Sequence, residues 1–353
     1  MISERTLALA VERGLLTHEQ SAALRSLEAG SDPLAPSPDD EQLRFITGFA
    51  DIFVTIGIGL FLGGLVFFLA DQTPTLRAGL VAAASWGLAE FFTRRRRMAL
   101  PSIALLLTFA AGAWLAAFLS MGQPQSLESF GGTLFFGDRT QLVSLIGANM
   151  AALLGAALHY WRFRVPITVA AGGAALTASI LGLLAYAAPD WVWSVQRPLI
   201  FACGIGFFAL AMWFDRQDLK RRTRLSDIAF WLHMVAAPLI VHSLAGYFAR
   251  SLMLNLNAAL LILAIFIVLG LVAVLIDRRA LLVSGLTYLA IAFSSVIRET
   301  ALSSAILPLT VLGLGAFILL ISAAWQALRR LVLAPMPPRL AAWVPPARAS
   351  SSG

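Results

Sequence analysis

Leu88-Ala89-Glu90-Phe91-Phe92-Thr93-Arg94-Arg95-Arg96-Arg97-Met98-Ala99-Leu100 sets four consecutive arginines between two long apolar runs. About 20 apolar residues cross ~30 Å of hydrocarbon at ~1.5 Å per residue, so runs of that length separated by clusters of guanidinium groups belong to a chain threading a bilayer. Composition agrees. Of 353 residues, 59% are hydrophobic and only 13% charged, against roughly 25% charged in soluble domains. A water-soluble globule is excluded.

Working outward from Arg94 to Arg97, ten apolar runs are expected to span: residues 48 to 70, 75 to 93, 99 to 120, 141 to 160, 166 to 187, 198 to 214, 227 to 248, 254 to 276, 280 to 297 and 303 to 326. Turns after even-numbered runs hold thirteen cations: Arg94, Arg95, Arg96, Arg97, Arg162, Arg164, Arg216, Lys220, Arg221, Arg222, Arg224, Arg278 and Arg279. Turns after odd-numbered runs hold five, one each: Arg77, Arg139, Arg197, Arg250 and Arg298. Arginine is costly to move across the bilayer against the membrane potential, so the rich side is read as cytoplasmic. Both termini then face the cytoplasm. Trp161 and Trp213 fit an inner aromatic belt, and Trp191 and Trp193 an outer one.

The net charge of +7 and a sequence pI near 10.6 would point to nucleic acid in a soluble chain. Here the arginines lie in short turns between apolar runs, and no nucleic-acid partner is expected. Cys203 is the sole cysteine and sits in an apolar run, which excludes an intrachain disulfide and a cysteine metal site. No cleaved signal peptide is expected, and the first span reads as its own insertion signal.

Residues 1 to 30 read as a small cytoplasmic helical hairpin. Leu7, Ala10 and Val11 share a face, Gly14 closes the first helix in a left-handed conformation, and Thr17-His18-Glu19-Gln20 forms a capping box for the second. Two such helices bury too little to be stable alone, so they are expected to dock on a cytoplasmic protein, on a second copy or on the membrane domain. Residues 31 to 43, with Pro33, Pro36 and Pro38 among acids, read as a disordered linker, and 329 to 353 as a basic, proline-rich tail. Residues 121 to 140 form the one sizeable outer segment, read as an ordinary loop with re-entry as the alternative.

Polar side chains deep in the apolar runs are the candidate site. Asn149 lies in the fourth run, and His233 and His242 flank Pro238 in the seventh. Nine residues of helix turn through about 900°, so the two imidazoles occupy opposite faces about 13 Å apart and cannot share one metal. Two readings stay open for them: glue between helices, or the lining of a path for a small neutral or lipid-like solute. Glu90, four residues before Arg94, reads as a local ion pair. Gly59 and Gly63 in the first run, Gly172-Gly173 and Gly313-x-Gly315 read as helix-packing positions, with a dimer face as the alternative for the first pair. Ile52-Phe53 with Gly57-Ile58-Gly59 loosely echoes Ile200-Phe201 with Gly204-Ile205-Gly206, the trace that an inverted five-plus-five repeat would leave.

No metalloprotease helix motif, nucleophile elbow or phosphate loop is present, and no catalytic residues, cofactor or metal are expected. Glu12-Arg13-Gly14-Leu15-Leu16-Thr17-His18-Glu19-Gln20, Asp51-Ile52-Phe53-Val54-Thr55-Ile56-Gly57 and Trp325-Gln326-Ala327-Leu328-Arg329-Arg330 carry a resemblance to a family of uncharacterised bacterial inner-membrane proteins, a domain of unknown function that pairs a short helical module with a polytopic bundle. The resemblance implies an inner-membrane location and carries no functional residues. The expectation is an all-α polytopic transmembrane bundle of about ten spans with a small amino-terminal hairpin. Its role is read as a non-enzymatic envelope scaffold or sensor with the lipid bilayer and a cytoplasmic protein as partners, with a permease as the alternative.

Overall fold

The computed structural model describes residues 7, 10–14, 16–21, 49–121, 139–219, 221, 223–252, 256–298, 306–337 and 344. The linker, the outer 122–138 segment, Lys220, Arg222 and most of the tail lie outside the described residues. Two units are distinguished, Met1–Leu43 with Arg348–Gly353, and Arg44–Ala347.

In the first unit Gly14 has φ +66°, and its amide donates to the Val11 carbonyl at 3.0 Å. The Gln20 amide donates to Thr17 Oγ1 at 3.1 Å while Gln20 Oε1 accepts from the Thr17 amide at 3.0 Å. These are the reciprocal bonds of a capping box. The second helix from Ala22 onward, with Leu24 and Leu27, lies outside the described residues.

The second unit is helical, without strand among the described residues. Among the described residues ten α-helices follow one another there: α1 Phe49–Phe68, α2 Pro74–Ala89, α3 Ala99–Met121, α4 Arg139–Phe163, α5 Ile167–Ala187, α6 Pro189–Gln217, α7 Arg224–Leu252, α8 Leu256–Ile276, α9 Ala280–Arg298 and α10 Ile306–Leu333. Each coincides with an expected apolar run. Seven, namely α1, α3, α4, α5, α6, α7 and α10, are long and apolar enough to cross a membrane. That makes the chain a multi-pass membrane protein. Of the other three, regular α-helix in α2 covers 16 residues before passing into a π-helical turn at Glu90–Arg95, while α8 and α9 are helices of 21 and 19 residues.

Local chemistry fixes the ends. Thr73 caps α2, its hydroxyl accepting from the Leu76 amide at 3.4 Å, with Pro74 at the first helical position where a missing N–H costs nothing. After the π turn the Met98 amide reaches back to the Phe92 carbonyl at 3.1 Å and Arg97 takes φ +55°. The same left-handed stop recurs at Arg164 (φ +54°), Arg221 (φ +52°) and Asp277 (φ +56°). Glycine is the residue that adopts this conformation without strain, and a side chain there costs on the order of 1 kcal/mol. Every arginine-rich turn thus keeps a charged residue where glycine would fit better.

Half of the residues along the apolar length of α7 are buried, against 6% along that of α10. α7 is therefore the central helix, its Ile228, Leu232, Ala236 and Ile240 packing on Phe207 and Ala211 of α6 and Ala170 of α5. The outer faces stay apolar: Phe49, Phe53, Leu60, Phe67 and Phe68 of α1 and Leu307, Val311, Leu312 and Leu319 of α10 are exposed, as lipid-facing residues are. Val344 is buried with Trp325, Ala273 and Leu281, so the chain beyond α10 returns to the bundle.

Three glycine expectations change. A Cβ on Gly59, Gly63 or Gly315 would meet open space, so none of them is a packing contact within the chain; α1 packs through Ile58 and Leu62 instead. Close approach occurs at Gly112, where a Cβ would lie 2.9 Å from the Ala78 carbonyl of α2, and at Gly204, 3.0 Å from the Ile240 amide of α7.

Candidate functional site

Charged side chains converge where the arginine-rich turns meet. Asp215, two residues before the end of α6, is buried against α7 and the turn leading to α9. His233 Nε2 donates to Asp215 Oδ2 at 3.0 Å. Arg278 grips both carboxylate oxygens, through Nε at 3.2 Å and through Nη2, which also donates to the Ser226 carbonyl at 3.1 Å. An arginine fork on a carboxylate neutralises it with matched geometry, which makes burial of the pair tolerable. His233 has no exposed surface, and its Nδ1 has no partner among the described residues.

Asp277 gathers a second set. Arg221 reaches its carboxylate at 3.2 Å and its carbonyl at 2.8 Å, Trp325 Nε1 donates to its Oδ1 at 2.8 Å, and Arg329 lies 3.3 Å from Oδ2. The Arg279 guanidinium sits 5.0 Å over the Trp325 ring, a cation–π contact. Asp218 accepts from the Thr223 amide at 2.6 Å and hydroxyl at 2.7 Å, shaping the α6–α7 turn. One carboxylate at the end of α8 therefore ties together the α6–α7 turn and α10.

A third brace joins α2 to α4. Glu90 pairs with Arg94 at 3.2 Å, as the spacing predicts, and also with Arg162, whose Nε and Nη2 donate to it at 2.7 and 2.8 Å. An acid at the end of α2 with an arginine at the end of α4 repeats as Asp215 of α6 with Arg278 after α8. That recurrence has an offset of four helices in the same order, which differs from the inverted halves of five that the Gly57 and Gly204 segments hinted at.

Beside the third brace lies a cleft of about 410 Å³ lined by Thr93, Arg94, Arg97, Arg162, Arg164, Arg224 and Asp227 with Ile103, Phe163 and Trp231. It opens between the starts of α3, α5 and α7.

The side chains singled out from the sequence are not brought together. Asn149 Oδ1 accepts from Trp114 Nε1 at 2.8 Å, joining α4 to α3. His242 Nδ1 lies 2.6 Å from the Tyr288 hydroxyl, joining α7 to α9. His233 is spent on Asp215. Pro238 lies inside α7, which continues helical through it, next to the Gly204 contact. Three separate interfaces are involved, the pattern of helix glue. His159, which periodicity did not single out, is fully buried, 3.3 Å from Thr168 Oγ1, with its ring 4.6 Å from Phe163, 5.8 Å from Phe109 and 5.9 Å from Trp86. Asp215 and Asp277 carry only a weak signal in the sequence, an acid set within or beside an arginine-rich turn.

Comparison with family models, with curated proteins and with solved structures finds no match to this chain, and its site is read from its own residues.

Proposed function

We propose that this chain is a non-enzymatic scaffold or sensor of a bacterial inner membrane, a ten-span bundle with both termini cytoplasmic, in which the amino-terminal hairpin binds a cytoplasmic protein and the braced bundle anchors or senses. The carrying observation is where the polar chemistry lies. Three carboxylates and their arginines lock the ends of α2, α4, α6, α8 and α10. In contrast, Asn149, His233 and His242 are each consumed by one partner in a different interface. A transport path needs its polar groups to converge on one cavity. A platform needs its ends held still. The count of ten rests on the alternating arginines and on α2, α8 and α9 crossing as the other seven do, and the inner-membrane location rests on the family resemblance.

Two measurements test this. Alkaline phosphatase and fluorescent-protein fusions at Arg96, Arg222 and the carboxyl end should all report the cytoplasm, and those at Arg77, Arg197 and Arg298 the periplasm; one inversion removes the topology. Separately, a chain lacking residues 1 to 42 should fail to complement a null strain, while Asn149→Ala/His242→Ala complements. The opposite pattern would favour the permease.

A further inference from the structure

The cleft between the turns has the donors of an anion site. Arg94 and Arg162 share Glu90, but no ion pair or hydrogen bond engages the guanidinium groups of Arg97, Arg164 or Arg224 among the described residues. Asp227 is the one acid in the lining, and it has an interaction of its own. Positive charge is therefore in excess. Arg97 and Arg164 hold their left-handed backbones at its edge, so two of these cations stand where unstrained chain would carry glycine. Thr93 also lines the cleft; it is only 8% exposed, and its hydroxyl has no partner among the described residues. Finally α3, α5 and α7 all begin here. The first amides of a helix lack intrahelical acceptors and carry the positive end of its dipole.

We propose that this cleft binds a phosphate group. Several guanidinium forks, a hydroxyl and three helix starts offer more donors than the two oxygens of a carboxylate can use, whereas a tetrahedral phosphate presents oxygens in the required number and spread. The source is either the headgroup of an anionic phospholipid, whose glycerol would meet Ile103, Phe163 and Trp231, or a soluble phosphate. The proposal goes beyond the scaffold reading and shares with it only the cytoplasmic placement of the turns.

Full-length protein would be tested with two probes: labelled inorganic phosphate, by equilibrium dialysis against phosphatidylcholine nanodiscs, and phosphatidylglycerol against phosphatidylcholine, by native mass spectrometry from detergent. Both faces are open in either format, so an inverted topology would leave binding intact and the two failures stay distinct. One saturable equivalent of at least one probe is expected. Binding should weaken by about tenfold or more in Arg97→Gly/Arg164→Gly, on the order of one charge-assisted bond. Glycine suits φ near +55° at both positions, so that variant keeps the turns. Thr93→Val, of similar shape, should weaken it several-fold on the same grounds. Arg95→Gln/Arg96→Gln, which removes equal charge beside Arg97 but outside the cleft lining, should leave it unchanged. Lipid binding without phosphate binding identifies a headgroup, and the converse a soluble ligand. No saturable binding by either probe, or equal losses in the two arginine pairs, overturns the site.

Discussion

Arg278→Met is expected to destabilise the protein by about 3–5 kcal/mol, because it leaves the Asp215 carboxylate buried without its guanidinium partner. Asp215 and Arg278 are both nearly inaccessible, and the guanidinium also satisfies the Ser226 carbonyl. Removing the charge from both partners should recover much of the loss. The double variant Arg278→Met/Asp215→Asn has no unpaired charge, and its amide still accepts from His233 Nε2, so it should lie at least ~2 kcal/mol above the single variant. Denaturation in mixed micelles followed by tryptophan fluorescence reads both. Equal destabilisation of single and double variants would mean that the three groups do not act as a charge-compensated unit.

The helices were legible because a bilayer imposes a length and a polarity on each crossing, and the arginine clusters mark where crossings end. Arg94 to Arg97 delimit α2 and α3 in the structure as in the sequence. What the sequence hid is pairing between turns. Arg162 and Arg278 were read as topology determinants, a role that depends only on their place along the chain. Their carboxylate partners lie 72 and 63 residues away, and nothing in a local pattern connects them. His159 was missed for a related reason: in an apolar run a buried histidine and a lipid-facing one look alike until the rings around it are placed. The glycines illustrate the same limit. Gly59 and Gly63 have the right spacing and face open space, while Gly204, quoted only in an echo of another segment, lies against a neighbouring backbone. Hydrophobic periodicity separates core from water, but in a membrane both faces of a helix are apolar, so it cannot separate core from lipid.

Gly204→Leu should therefore be far more damaging than Gly59→Leu, although both enlarge a glycine within an apolar helix. At Gly204 a bare Cβ already comes within 2.8 Å of Ile240 Cγ1, 3.0 Å of the Ile240 amide nitrogen and 3.1 Å of Leu239 Cβ. Side chains can rotate away; the amide nitrogen belongs to the backbone just after Pro238 and can yield only if α6 and α7 separate. Separation would open the buried interface around Phe207, Ala211, Leu232 and Ala236. Overpacking of this kind costs typically ~1–3 kcal/mol and more where the backbone must shift. Leucine gains roughly 0.8 kcal/mol of helix propensity over glycine at either position. That gain is submerged at Gly204 and unopposed at Gly59, so the two variants should move the unfolding midpoint in opposite directions. Gly204→Ala should fall between, since its one added carbon meets the same backbone nitrogen but nothing beyond it. If Gly204→Leu unfolds like the parent while Gly59→Leu is impaired, α6 and α7 are not in contact at Pro238, and the placement of α7 at the centre of the bundle falls with that contact.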